Sequence, residues 1–244
     1  SSAASDVYKR QVNPQAILKH KGIIANPNCS TIIMVMALKP IYDLAKIKRV
    51  IVSTYQAVSG AGKEGIDELD AQVREHSEGR EMTANILPSA SAEKHYPIAF
   101  NLIPQIDVFC DNLYTKEEMK MVNETKKIME DYEMRITATT IRVPVYRSHS
   151  ESVNIELEKE VDLGAMREAL AKFPGVTVQD DPSKQEYPMP LYTSEKDDVY
   201  VGRLRRDESC EKSYNMWVVG DQIRKGAALN TLQIAETMIK NGWI

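Results

Sequence analysis

The chain has 244 residues and a formal net charge of −4 spread along its length, with no basic tract interleaved with aromatics, so a nucleic-acid surface is not expected. That length buries a sizeable core, as one large domain or two small ones. The longest apolar run, at residues 32–38, is too short to span a bilayer, and three widely spaced cysteines read as free thiols of a reducing, cytoplasmic compartment rather than a disulfide framework.

Residues 1–11 lack the hydrophobic stretch of a secretory signal and read as a non-native or disordered lead-in. A short apolar strand over 22–25 ends at Asn26-Pro27, where the proline disfavours helix in the residue before it. From Ser30 the residues Ile33, Met36, Ala37, Ile41 and Leu44 recur at three-to-four spacing and predict a buried helix, kinked at Pro40, with Cys29 at its N-terminal end. Residues 49–56 read as a strand that runs into Ser59-Gly60-Ala61-Gly62, followed by a helix over 63–76 and a long surface loop over 77–104. Thr115-Lys116-Glu117-Glu118 is a capping-box arrangement opening a helix over 115–132 with Met119, Val122 and Met129 as its apolar stripe.

The alternating runs at 135–145 and 153–157 are expected to pair directly. A helix over 163–173 closes at Pro174-Gly175. It is followed by a strand at 176–178, a proline-rich loop, strands at 199–205 and 214–219, and a last helix over 222–240. Strands outnumber what strand–helix alternation supplies, so the predicted fold is α+β, a mixed, largely antiparallel sheet covered by helices.

Cys29 is the residue with the clearest chemistry. A thiol at a helix N-terminus meets free amides and partial positive charge that favour the thiolate, although a free cysteine is also a common space-filler in cores. Asn28 and the amides of Ser30 and Thr31 are candidate donors to an oxyanion on an acyl group carried by the sulfur. Of four histidines, His149 lies in the turn after the 135–145 strand, where it reads either as a base projecting into a cleft or as a solvated turn residue. Arg142 on that strand has the planar fork for a carboxylate and equally the character of a structural ion-pair partner. Glu124 and Lys127, three apart, share a helix face, as solvated ion pairs often do. The glycine-rich loop offers exposed amides but lacks the lysine and spacing of a P-loop. Cys110 and Cys210 have no motif context.

In their order along the chain these pieces resemble the aspartate-semialdehyde dehydrogenase family from Val12 onward. Asn26-Pro27-Asn28-Cys29-Ser30-Thr31 is similar to the family's nucleophile motif, and Gln56-Ala57-Val58-Ser59-Gly60-Ala61-Gly62 to its substrate and cofactor loop. Glu124-Thr125-Lys126-Lys127 resembles the substrate-binding pair, Arg142 and His149 keep the family's separation of seven residues, and Gly220-Asp221-Gln222 resembles its nicotinamide-side motif.

The resemblance implies a C-terminal domain like that of glyceraldehyde-3-phosphate dehydrogenase beside a remnant of a Rossmann-type domain. It also implies NADPH-dependent reduction of L-aspartyl 4-phosphate to aspartate 4-semialdehyde with release of phosphate, in amino-acid biosynthesis. Cys29 would be the thioester-forming nucleophile and His149 the acid/base. Asn28 would steady the tetrahedral oxygen while it is negative, Gln56 would orient the acyl end, Arg142 would hold the α-carboxylate, Glu124 the ammonium and Lys127 the phosphate. Ser59, Gly60 and Gln222 would face the nicotinamide of NADP.

The same resemblance divides the chain into a dinucleotide-domain remnant at 12–28, a catalytic and dimerisation domain at 29–221, and a C-terminal helix at 222–244 that packs on the dinucleotide domain. The apolar side of Leu229, Leu232, Ile234 and Ile239 is then expected to lack its full cover. The family's glycine-rich phosphate fingerprint belongs upstream of Val12, so these residues by themselves are expected to form a homodimer or homotetramer without turning over NADPH. Two other readings stay open on sequence alone: an N-acetylglutamyl-phosphate reductase-like enzyme, whose nucleophile has a different Gly-Cys-Tyr-Pro context, and a non-catalytic oligomerisation module.

Overall fold

The computed structural model describes residues 6–7, 18, 24–225 and 229–243. The expected lead-in apart from 6–7, the expected remnant at 12–28 up to residue 23 apart from residue 18, and residues 226–228 of the expected last helix lie outside the described residues.

Helix α1, Cys29–Leu44, is the centre of the molecule. Its residues 30–38 are buried on every side, as expected of a helix with almost no polar face. It lies on one face of a six-stranded mixed sheet, flanked by α3, Lys116–Met129, and α4, Leu163–Lys172. The strands are β3 (Ile47–Gln56), β4 (Arg135–Arg142), β5 (His149–Leu157), β6 (Val176–Val178), β7 (Val199–Arg206) and β8 (Ser213–Gly220). Their order is β4-β3-β5-β8-β7-β6, with β3–β4 and β6–β7 parallel and the other pairs antiparallel. The α+β expectation therefore holds. One pairing does not: β4 and β5 flank β3 on opposite sides and never meet. Val143-Pro144 ends β4 early, since proline donates no ladder hydrogen bond, and the chain then passes to the far edge of β3.

Alternation along the strands decides which side chains reach α1. Val50, Val52, Thr54 and Gln56 of β3, Ala138, Thr140 and Arg142 of β4, and His149, Val153, Ile155 and Leu157 of β5 are the buried set. The opposite face carries Ile51, Tyr55 and Trp217, with the Tyr55 and Trp217 rings 5.5 Å apart.

Helix α2, Lys63–Ser77, organises the long loop at 77–104 with two buried side chains. The Glu68 carboxylate accepts from the amides of Asn85, Ile86 and Leu87, and Gln72 Oε1 accepts from those of Ile98 and Ala99. The predicted capping box at Thr115 and Glu118 is present.

Two further features depart from expectation. Strand β1, Asp6–Val7, pairs in parallel with β2, Ile24–Ala25, so these two residues of the expected lead-in belong to a two-stranded sheet. The described part of the last helix is α6, Leu229–Lys240, and Gln222 lies in a turn rather than in that helix. On α6, Ile234 packs with Ile24, Met238 and Trp243, while Leu232 and Ile239 remain 63% and 65% exposed. No helix among the described residues is long and apolar enough to cross a membrane.

Candidate active site

The site forms where the N-terminus of α1 meets one end of the sheet. Gln56 ends β3 and Arg142 ends β4, and the two are register partners. His149 begins β5 and pairs with Gly220 at the end of β8, which delivers Asp221 and Gln222 to the same place. Residues spread over most of the sequence are thereby gathered by strand ends alone.

Asn28 is the N-cap of α1: its Oδ1 accepts from Thr31 N at 3.1 Å, which leaves Cys29 as the first helical residue. Its own amide donates to Glu124 Oε2 at 2.7 Å, and its Nδ2 donates to Glu117 Oε1 at 2.9 Å. Two carboxylates of α3 therefore brace the tip of the nucleophile helix. With Thr31 N occupied by the cap, it is not an oxyanion donor as the sequence suggested, and the Ser30 amide is directed at the Cys29 sulfur.

Cys29 Sγ lies 3.5 Å from His149 Nε2. His149 is wholly buried, not a solvated turn residue, because β5 extends back to include it. The Ala57 amide donates to His149 Nδ1 at 3.1 Å, so Nδ1 is the unprotonated nitrogen and the proton of the neutral ring is on Nε2, facing the sulfur. Burial and the Arg142 charge hold the imidazole well below the usual histidine range. Although Cys29 keeps some solvent-accessible surface, burial and then the Glu117 charge push its thiol up to about 12, against the lowering effects of Arg142 and the Ser30 amide. The resting pair is thus thiol and neutral imidazole. The helix end alone does not yield a thiolate here, because desolvation outweighs it.

Arg142 is buried, with Nη1 donating to the Ala57 carbonyl at 2.7 Å and Nε without a partner among the described residues. Gly60 lies against this pair: a Cβ there would stand 2.6 Å from Arg142 Nη1 and 3.3 Å from His149 Cε1. Any side chain at 60 would displace both. Gln222 Nε2 donates to Ser59 Oγ, and Gln222 Oε1 accepts from Ser148 N at 3.0 Å. The turn holding Gln222 is built by buried Asp221, whose Oδ1 accepts from the amides of Ile223 and Arg224 and whose Oδ2 forms an ion pair with Arg147 at 2.8 Å. Ser59, Gly60 and Gln222 thereby form one wall beside His149. Lys127 is half-buried one turn beyond Glu124 on α3.

Two participants escaped the sequence reading. Ala57 acts through its backbone and leaves no side-chain signal. Glu117 precedes the capping-box glutamate and lies seven residues before Glu124, a spacing that puts both on one helix face. Among the described residues no cluster of potential ligands is suited to a metal ion.

Known proteins resemble the chain at both levels. A model of the semialdehyde dehydrogenase dimerisation domain matches residues 38–225. Over 236 residues the chain is 54% identical to an aspartate-semialdehyde dehydrogenase of Aquifex aeolicus, covering 96% of this chain and 68% of the relative. For the enzyme of that name from Bacillus subtilis the figures are 51%, 94% and 67%. Aspartate semialdehyde dehydrogenase II of Vibrio cholerae, solved as a complex with ASA, superposes with a TM-score of 0.91 at 44% identity, covering 98% of this chain and 69% of that one.

Proposed function

The chain belongs to the aspartate-semialdehyde dehydrogenase family, an oxidoreductase family of amino-acid biosynthesis, and we propose on that premise that Cys29 accepts the acyl group of L-aspartyl 4-phosphate. The observation that carries this reading is the Cys29–His149 contact, made with the imidazole proton directed at the sulfur.

In the synthetic direction the Cys29 S–C bond forms at the acyl carbon to give a tetrahedral intermediate, and its collapse breaks the C–O bond to phosphate. The thiol proton leaves on the departing phosphate, so the step needs no base with a free Nε2. His149 Nε2–H and the second Asn28 Nδ2–H are the donors that hold the tetrahedral oxygen while it is negative; its collapse re-forms the carbonyl as phosphate leaves, so the neutral ring keeps its only proton. Arg142 Nε, without a partner among the described residues, supports a bidentate grip on the substrate α-carboxylate, with Glu124 facing the ammonium and Lys127 the phosphate.

As in other dehydrogenases of this family, a bound nicotinamide cofactor, which we take to be NADP, would supply the hydride. Ser59, Gly60 and Gln222 fit that role, because Gly60 keeps the face of the His149–Arg142 pair clear of any Cβ. We assign acyl transfer and dimerisation to residues 29–221. These 244 residues span about two thirds of the length of those relatives.

Mixing the chain with aspartyl phosphate is expected to release one phosphate per chain in a burst and to add an aspartyl group to Cys29, seen by intact mass. Cys29→Ala is expected to abolish both. A burst that survives in Cys29→Ala would overturn the assignment.

A further inference from the structure

Residues 145–149 meet the backbone of residues 57–59 out of order. The amides of Val58 and Ser59 donate to the carbonyls of Val145, at 2.8 Å, and Tyr146, at 3.2 Å, and the amide just before them, that of Ala57, donates to the His149 ring. Successive amides are thus taken by residues 145 and 146 going one way and by residue 149 coming back. The chain therefore doubles back between Tyr146 and His149.

Ser148 is where it turns. Its φ is +70°, the only left-handed value among the described residues between Arg142 and the end of β5. A side chain strains this conformation, and serine does not adopt it as readily as glycine or asparagine. Ser148 is wholly buried and held by three neighbours. Its amide donates to Gln222 Oε1 at 3.0 Å. Ser194 Oγ spends its proton on the Pro190 carbonyl at 2.8 Å, so the Ser148 hydroxyl, 3.3 Å away, is the donor of that pair, and it accepts in turn from Thr193 Oγ1 at 3.1 Å. On the preceding residue, the Arg147 guanidinium is paired with Asp221, whose Oδ2 also accepts from the Glu195 amide at 2.6 Å.

We propose that Ser148 is a positioning residue for the Cys29–His149 pair. Latched by Gln222, Thr193 and Ser194 in a conformation it would otherwise leave, it turns the chain so that His149 Nδ1 meets the Ala57 amide and Nε2–H meets the sulfur. Relaxed to an extended conformation, Ser148 would carry the ring away from Ala57, and with Nδ1 free the proton can sit on either nitrogen. The latch also joins the two sides of the site. Gln222 is held between Ser59 and Ser148, so the residue assigned to the nicotinamide and the one that donates to the acyl oxygen share a single turn. Residues 190–194 supply no group to the chemistry, and their task is to hold that turn from behind.

The catalytic part of this proposal rests on His149 as the donor to the acyl oxygen, but the latch is measurable without substrate. In the 244-residue chain labelled with ¹⁵N-histidine, two-bond ¹H–¹⁵N correlation spectra near neutral pH, with His149 assigned by its loss in His149→Gln, are expected to show a single Nε2–H tautomer for that ring. Ser148→Gly keeps the amide and takes the left-handed conformation without strain, so it is expected to keep both the tautomer and the rate of the phosphate burst. Ser148→Ala keeps the strain and loses the latch. It is expected to populate the Nδ1–H tautomer as well and to slow the burst several-fold. A role in packing alone predicts the reverse order, since alanine is nearer to serine in size and less flexible than glycine. A wild-type chain with His149 in the Nδ1–H form, or in both forms, would overturn the proposal whether or not either variant folds. So would a Ser148→Ala chain that matches the wild type in both measurements, or a Ser148→Gly chain that is the worse of the two. Absence of a burst in a wild-type chain that shows the single tautomer bears on the acyl-transfer reading alone.

Discussion

Cys29 and His149 are each legible as residue types and each misleading about state. The sequence places the thiol at a helix start, where amides favour a thiolate, yet in the folded chain burial and the Glu117 charge raise it, so rapid labelling near neutral pH is not expected. Glu151, two residues after His149 on the same strand, is buried with both carboxylate oxygens unpartnered among the described residues, and burial raises it well above the usual carboxylate range. A group raised in the folded state contributes stability below its unfolded value, and that contribution is lost as pH rises through the folded value. Burial lowers His149 instead, so its cost appears as pH falls below about 6.5, the unfolded value. Glu151→Gln keeps the shape and removes the first slope, worth up to about 1.4 kcal/mol per pH unit. Its thermal stability relative to wild type is therefore expected to be similar at pH 5 and clearly higher at pH 8. An equal difference at the two pH values would count against it. Alternation along 153–157 predicts which residues face inward, but not that the strand extends back to His149 and Glu151, because their polarity masks the pattern.

At the scale of elements, the helices were readable from periodicity and caps, as Thr115 with Glu118 at the start of α3 shows. The loop at 77–104 was readable only as an absence of pattern. What orders it is Glu68 and Gln72, two polar residues of α2 whose burial no helical period announces. Gln72→Ala leaves the amides of Ile98 and Ala99 without their acceptor, at a cost of about 1–3 kcal/mol for each buried donor. Urea melts are expected to show that loss. Hydrogen exchange should speed up over residues 83–99 while α1 keeps its protection, and unchanged exchange there would contradict the anchoring role.

For the whole molecule, the sheet face away from α1 carries no covering layer of long helices among the described residues. Ile51 there is 37% exposed, and a cavity of about 360 Å³ opens beside Trp217, lined by Ser152, Tyr187, Pro188 and Met189. The chain matches a dimerisation domain, and this face is the one we expect to meet a second copy. Light scattering is expected to give a dimer for the chain and a monomer for Ile51→Glu, since a buried charge on a strand at an apolar contact has no partner. A dimer that survives Ile51→Glu would place the contact elsewhere.

Local rules were enough for the helices, most of the strands, the nucleophile at a helix end and the α+β class, because caps, periods and turn residues act over a few positions. Strand order and the meeting of Gln56, Arg142 and His149 were decided only in the tertiary structure, where β3 enters between β4 and β5 and sets their ends side by side. So were the His149 tautomer and the tasks of Glu117 and Ala57. Those depend on which donor faces which acceptor across long stretches of chain, and on burial strong enough to shift a proton, neither of which is written in the spacing of residues.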